Sequence, residues 1–151
     1  MEKTQRRTRL LGLAAAAAFA AAGVIASTQP AQAAIPPVVS RIAIAPASIA
    51  LGGSAQVTAT ATNTTSGRLG VSMGIDIPAF AHALHATGTN GCTPRLLGTI
   101  TYCGVTLAPG ASATLTITST PSATGTLVFT SYGRIAYTGT NDTDTATLTV
   151  S

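Results

Sequence analysis

The chain has 151 residues, of which 46% are hydrophobic and only 8% are charged, and its formal net charge is +4. It contains two His, two Cys and four acidic residues, and it lacks Trp. These side chains supply most of the general acids, nucleophiles and metal ligands of enzymes, so their scarcity argues against catalysis. We therefore expect a non-enzymatic protein with no catalytic residues, no cofactor and no metal.

Residues 1–33 have the three parts of a secretory signal peptide. A basic start precedes an apolar segment at residues 10–25, and small side chains predict cleavage between Ala33 and Ala34. The apolar segment is shorter than the roughly 20 residues of a bilayer span, so we expect a cleaved helical signal peptide. Its paired arginines leave the general secretory and twin-arginine routes open. The basic residues are Lys3, Arg6, Arg7 and Arg9.

Removal of the signal changes the charge balance of the chain. Residues 34–151 contain no Lys, and their formal charge is +1. A nucleic-acid-binding protein needs a clustered basic face, so we expect no nucleic-acid partner. No Cys at the cleavage site accepts a lipid and no hydrophobic tail follows, so we expect no membrane attachment after cleavage. The charged residues are Arg41, Arg68, Arg95, Arg134, Asp76, Asp142 and Asp144.

The mature chain predicts a short leader followed by one domain. Residues 34–37 contain Pro36-Pro37 and predict an extended leader, and residues 38–151 predict the domain. Within it, apolar and polar residues alternate with a period of two, which is typical of strands with one buried face. The clearest strands are 57–62, 69–77, 114–118 and 145–150, and weaker candidates are 41–45, 83–87, 99–102, 126–130 and 134–138.

Turn-forming residues separate these segments at intervals of about ten to fifteen residues, and Asn141-Asp142 is one of the predicted turns. No window after Ala34 carries a sustained helical stripe, which excludes parallel strand pairs linked by helices. We therefore predict an all-β protein, an antiparallel Ig-like β-sandwich of about seven strands, preceded by the helical signal peptide.

Cys92 and Cys103 are the only cysteines and lie eleven positions apart. An even number of cysteines in an exported chain predicts a disulfide. Closing so short a loop contributes about 2.5 to 3 kcal/mol in the chain-entropy model. A redox pair or a metal–thiolate site needs tighter spacing and further ligands.

Three stretches in order resemble one known family. Residues 55–63 resemble its first core strand with a terminal Asn, and Ile75-Asp76-Ile77-Pro78 resembles the step that follows. Residues 107–117 contain its Leu-x-Pro-Gly stretch before an alternating strand, preceded by the two cysteines. The combination resembles the conserved-repeat domain of bacterial cell-surface proteins, known as domain of unknown function eleven, over about residues 41–150.

This resemblance implies an extracellular Ig-like module that is used in tandem as a stalk or an adhesive spacer, with no catalytic residues. The chain departs from the family pattern in two respects. It has one copy instead of an array, and Asp142-Thr143-Asp144 stands where the family has an Asn-rich turn.

His82 and His85 form a His-x-x-His pair that invites a metal interpretation. This spacing places two side chains together on a helix but sends them to opposite faces of a strand. The surroundings predict a strand, so we expect two surface histidines and no metal site. The sequence also lacks a Gly-x-Ser-x-Gly elbow, and neither histidine has an assignable carboxylate partner for a hydrolytic triad.

Asn141, Asp142 and Asp144 offer oxygen ligands of the kind that Ca²⁺ prefers, but three ligands fall short of the usual six to eight. An Asx-stabilised turn explains the same residues without a metal, and both interpretations stay open. Asn63 begins a glycosylation acceptor pattern, as does Asn141. In the bacterial host that the resemblance implies, both are expected to be turns only. The three tyrosines are not spaced as a platform for stacking sugar rings.

These observations predict a secreted or cell-envelope-associated, non-enzymatic Ig-like module with a structural, adhesive or interaction role. Its partners are expected to be cell-wall or surface components, another protein or a second copy, contacted through strand edges and loops. The alternative is a small secreted ligand-binding or inhibitor-like protein, in which the loop from Phe80 to Cys103 is the binding element. The oligomeric state stays open.

Overall fold

A computed structural model describes residues 34–136, 138–139 and 141–151, without the side chain of Asn141. The predicted signal peptide at residues 1–33, its cleavage residue Ala33, and Tyr137 lie outside these described residues. In the described part of the chain, no helix has the length and hydropathy needed to cross a membrane.

The described chain is built from ten β-strands. Eight of them have eight or more residues, and β2 and β6 have two and three. The strands are β1 (Val38–Ala45), β2 (Ser48–Ile49), β3 (Ala55–Asn63), β4 (Leu69–Asp76), β5 (Ala81–Gly88), β6 (Arg95–Leu97), β7 (Ile100–Leu107), β8 (Ser112–Pro121), β9 (Gly125–Ile135) and β10 (Asn141–Val150).

The strands form two sheets, which confirms the predicted β-sandwich. One sheet has the order β1-β3-β8-β5 and the other has the order β2-β10-β9-β4-β7-β6. All pairs are antiparallel except the two-residue pairing of β2 with β10. The weaker predicted segments at 126–130 and 134–138 form a single strand, β9, that ends at Ile135.

Alternation along the strands builds the core, as the period of two predicts. In β8, for example, Ala113, Leu115 and Ile117 are fully buried while the intervening threonines face outward and are partly exposed. Threonine hydroxyls on neighbouring strands pair across the outer surface, with Thr58 Oγ1 3.1 Å from Thr116 Oγ1. Small residues fill most of the core. Its largest fully buried side chains include Phe129, Met73, Ile75, Leu107, Leu115, Ile117 and Leu148.

Asn63, at the end of β3, is fully buried and fastens three parts of the chain together. Its Nδ2 donates to the carbonyl oxygens of Gly67, Leu107 and Ala108 at 2.8, 3.1 and 3.1 Å. Its Oδ1 accepts hydrogen bonds from the backbone N–H and the hydroxyl of Thr65. The prediction of a local turn is therefore incomplete, because the amide also anchors the β7–β8 connection.

The N-terminal part of the described chain packs closely against the second sheet. Ser40 Oγ on β1 lies 2.9 Å from Ser131 Oγ on β9, and both side chains are buried. A Cβ at Gly133 would lie 2.9 Å from Val38 Cγ1, so the absence of a side chain there permits this approach. The predicted leader is tied to the same end of the sandwich, because Thr64 Oγ1 donates to the Pro36 carbonyl oxygen at 2.6 Å.

Candidate functional site

Cys92 and Cys103 form a disulfide, as the sequence predicts. Cys92 follows β5 of one sheet and Cys103 lies in β7 of the other, and both are almost fully buried. The backbone of Gly88 passes so close to the bridge that a Cβ there would lie 2.8 Å from Cys92 Sγ. The bridge therefore fixes the connection between the two sheets on this side of the sandwich.

The segment from Phe80 to Cys103 is not a loop, which corrects the description used in the alternative hypothesis. It contains β5, β6 and the first half of β7, so it crosses from the first sheet to the edge of the second. This segment has too few alternating apolar residues for its strands to be predicted with strength from the sequence. Its strands are instead defined by the backbone pairing of β5 with β8 and of β6 with β7.

This segment carries four of the large apolar side chains that are exposed. Phe80, Leu84, Leu96 and Leu97 have exposed fractions of 64, 70, 59 and 68%. We call these four residues the apolar edge, because β5 and β6 are the last strands of their sheets on the same side of the sandwich. Leu84 and Leu96 line one opening between the sheets, whereas Leu97 lies on the opposite face of β6. Large exposed apolar side chains grouped on one side of a small protein mark an interaction site.

A small cavity of about 180 Å³ shows that β5 and β6 face each other across the opening between the sheets. Leu84, Leu96 and Pro94 line it together with Thr101. Thr101 is fully buried, and among the described residues its hydroxyl has no hydrogen-bond partner. An unpaired buried hydroxyl is rare in proteins because its desolvation is not compensated.

The two histidines lie on one face of β5, so the expectation of opposite faces is wrong. His82 pairs with Thr120 and His85 with Thr118, and these two threonines both point outward from β8. A β-bulge between Ala83 and His85 inserts the extra residue that restores the common face. Both histidines are exposed, and no group of three His, Cys, Asp or Glu that could hold a metal occurs in the described residues.

On the opposite side of the sandwich, two acidic residues cover the free edge of β1. Asp142 Oδ2 accepts a hydrogen bond from the Ser40 N–H at 2.7 Å, and Asp144 Oδ2 accepts one from the Ile42 N–H at 3.0 Å. Arg41 Nη1 lies 3.8 Å from Asp142 Oδ2 at the surface. Inward-pointing charges of this kind protect an edge strand from pairing with another chain.

These carboxylates therefore have a structural role that sequence reasoning missed. Asp142 and Asp144 lie within β10 and not in the predicted turn, because they continue the core-facing positions of Ala146, Leu148 and Val150. The sequence contained a signal for this placement, because Asp142 and Asp144 continue the two-residue spacing of Ala146, Leu148 and Val150. The Oδ2 atoms that the calcium hypothesis needs are turned toward backbone donors of β1.

Replacing both Asp142 and Asp144 with Ala is expected to lower the free energy of unfolding by about 1 to 3 kcal/mol. Two N–H groups of β1 would lose charged acceptors at the border between the sheets. Urea unfolding measures the change, and Asp76→Ala is the matched control because it removes an exposed carboxylate on β4. Equal losses in the two variants would contradict the edge-covering role.

Comparison with known proteins identifies the fold alone. The sequence matches no protein-family model and no curated protein. The CARDB domain of the PF1109 protein from Pyrococcus furiosus, solved with di-metal ions, has a TM-score of 0.53 and 16% identity, over 77% of this chain and 89% of that chain. The bacterial hydrophobin BslA has a TM-score of 0.53 and 20% identity, over 79% and 97% of the two chains.

A third solved structure shows that this fold alone does not identify a function. AvmM, which catalyses macrocyclization in alchivemycin A biosynthesis, has a TM-score of 0.52 and 12% identity, over 77% of this chain and 89% of that chain. An enzyme and proteins of other kinds thus share one architecture. The solved structures therefore support the Ig-like β-sandwich fold and no more specific family.

Proposed function

We propose that this chain is exported and acts outside the cytoplasm as a non-enzymatic Ig-like interaction module, which associates with a second copy of itself through the apolar edge. The exposure of four large apolar side chains on one side of the sandwich carries this proposal. The disulfide supports an oxidising location, since such bonds are rare in the cytoplasm of mesophiles.

The difference between the two sides of the sandwich supports this choice of surface. On one side, carboxylates accept hydrogen bonds from two backbone N–H groups of β1. On the other side, β6 is the last strand of its sheet, and within the described residues no side chain hydrogen-bonds to its backbone. The neighbouring edge of β5 is interrupted by the bulge, so β6 offers the regular free edge.

The residues of β6 are compatible with pairing to their own copy. In an antiparallel pair centred on Leu96, the two Leu96 side chains lie opposite each other, and Arg95 of one copy lies opposite Leu97 of the other. No like charges are opposed in this register, which favours a two-fold symmetric contact. Leu84 on β5 lines the same opening as Leu96, so the apolar surface extends beyond β6.

Leu96→Lys is expected to weaken self-association at least about tenfold, a change of 1.4 kcal/mol in binding free energy, because a charge then lies at the centre of the contact. Sedimentation velocity of the exported chain over a range of concentrations measures it. Val128→Lys is the control, since Val128 is a half-exposed apolar residue on β9. A monomeric wild-type chain, or equal effects of both substitutions, would contradict the proposal.

The export component has a separate test. The precursor is expressed in its own host, and the mature chain is sought by mass in washed envelopes and in culture fluid. A chain that begins at Ala34 outside the cytoplasm supports export and the predicted cleavage after Ala33. A full-length chain retained in the cytoplasm would overturn it.

The cavity between β5 and β6 favours a second candidate function. Apolar side chains and the unpaired Thr101 hydroxyl line the cavity, so it suits an apolar group that carries one polar atom. Under this alternative the protein is a small diffusible binder that uses the segment from Phe80 to Cys103. Recovery of the chain only in culture fluid and only as a monomer would favour it over self-association.

A further inference from the structure

The outer face of the six-stranded sheet brings together two tyrosines that are thirty positions apart in the sequence. Gly74 on β4 pairs with Tyr102 on β7 and with Tyr132 on β9. Residues directly opposite in a sheet share a face, so both side chains rise from the same surface, two strand spacings or about 10 Å apart. Sequence spacing did not reveal this shared face, because the face depends on the order of the strands in the sheet.

The ring of Tyr132 is held in place by its neighbours. It occupies the space above Gly74, where an added Cβ would lie 2.6 Å from its Cε1. The guanidinium carbon of Arg134 lies 5.5 Å from the ring centroid, within the range of a cation–π contact. Burial raises the pKa of the Tyr132 phenol, and the nearby Arg134 charge opposes this shift. The phenol is thus neutral at physiological pH, and the ring is preorganised.

Tyr102 and Arg134, but not Tyr132, line an open groove of about 850 Å³, which is within the usual volume range of ligand sites. Tyr132 contributes indirectly, because its ring contacts the Arg134 guanidinium. Hydroxyl groups and one side-chain amide form part of the groove lining, and Gly104, which has no side chain, leaves the groove open at its position. No carboxylate lies within 4.0 Å of the Arg134 guanidinium in the part of the chain that the structure describes. The polar side chains that line the groove are Ser72, Asn90, Tyr102, Thr106 and Arg134.

We propose that this groove binds an acidic saccharide, a sugar unit bearing a carboxylate. The apolar face of a sugar ring packs on the half-buried Tyr102 ring, and its hydroxyls bond to Ser72 and Thr106. The carboxylate pairs with Arg134, whose planar guanidinium suits bidentate contact. A nucleic-acid strand would require a row of cations that this face lacks. The groove uses different residues from the apolar edge, so this inference does not depend on self-association.

Gly104→Val tests the groove without disturbing the core. Nothing lies within 4 Å of a Cβ built on Gly104, and Val is a favourable strand residue. We expect tetragalacturonate to bind the exported wild-type chain in isothermal titration calorimetry and to bind Gly104→Val at least tenfold more weakly, with an unchanged or higher unfolding midpoint. Thr147→Val, an exposed strand position on β10, is the matched control and should bind as wild type does.

Arg134→Gln tests the carboxylate contact separately. Cellotetraose serves as the uncharged probe, and we expect wild type to prefer tetragalacturonate over it and Arg134→Gln to lose that preference. Failure of wild type to bind tetragalacturonate would overturn the proposal. Equal affinity for the two probes in wild type would overturn the acidic assignment, and unchanged binding by Gly104→Val would overturn the location.

Discussion

Asn63→Asp is expected to lower the free energy of unfolding by about 3 to 4 kcal/mol. The substitution keeps the shape of the side chain but places a carboxylate oxygen where Nδ2 now donates to three carbonyl oxygens. The site is fully buried, so water cannot replace the lost donor. Ionised, the new side chain is repelled by these carbonyls, and protonated, it has one proton for three acceptors.

Urea unfolding of the exported chain measures this loss, and Asn90→Asp provides the matched control. Asn90 is exposed, and its amide donates to a single carbonyl oxygen, that of Ser112. The same chemical change there is expected to cost less than about 1 kcal/mol. Similar losses at the two positions would show that Asn63 does not anchor the β7–β8 connection in the way described.

Removal of the disulfide by Cys92→Ala with Cys103→Ala is expected to lower the free energy of unfolding by about 3 kcal/mol. The bridge closes a loop with a sequence separation of eleven, and its loss increases the entropy of the unfolded chain. In a domain of this size, this is a large part of the total stability. Loss of the bridge is also expected to increase the mobility of β6, because the bridge anchors Cys92 shortly before that strand begins.

Thermal and urea unfolding of the double variant measure this contribution. Val105→Ala on β7 is the control, because it removes apolar atoms from a partly buried position near the bridge without opening the loop. A loss in the double variant no larger than that of Val105→Ala would contradict the role of the bridge.

The fold could be predicted from the sequence because alternating apolar residues report directly on which face of a strand is buried. This holds for β3, β4, β8 and β10, whose alternation is long and regular. It fails in β5, where a bulge shifts the period and brings His82 and His85 to one face. The position of a bulge depends on the strand with which β5 pairs, and the hydrophobic period of the sequence does not identify that strand.

The surfaces could be predicted less well, since they depend on which strands become neighbours. Tyr102 and Tyr132 share a face only because β4 lies between β7 and β9. Asp142 and Asp144 look like turn residues until their spacing is followed into the core stripe of β10. Likewise, the apolar side chains between Phe80 and Cys103 form an edge only because both sheets end on the same side.

The central claim, that β6 is the edge through which two copies associate, is tested most directly by amide hydrogen exchange at Arg95 to Leu97. A free edge exposes alternate N–H groups to water, since the others face β7, and pairing with a second strand protects the exposed ones. We predict that protection of these amides in the exported wild-type chain increases with protein concentration, and that Leu96→Lys abolishes the increase. Fast exchange in β6 at every concentration would contradict the claim.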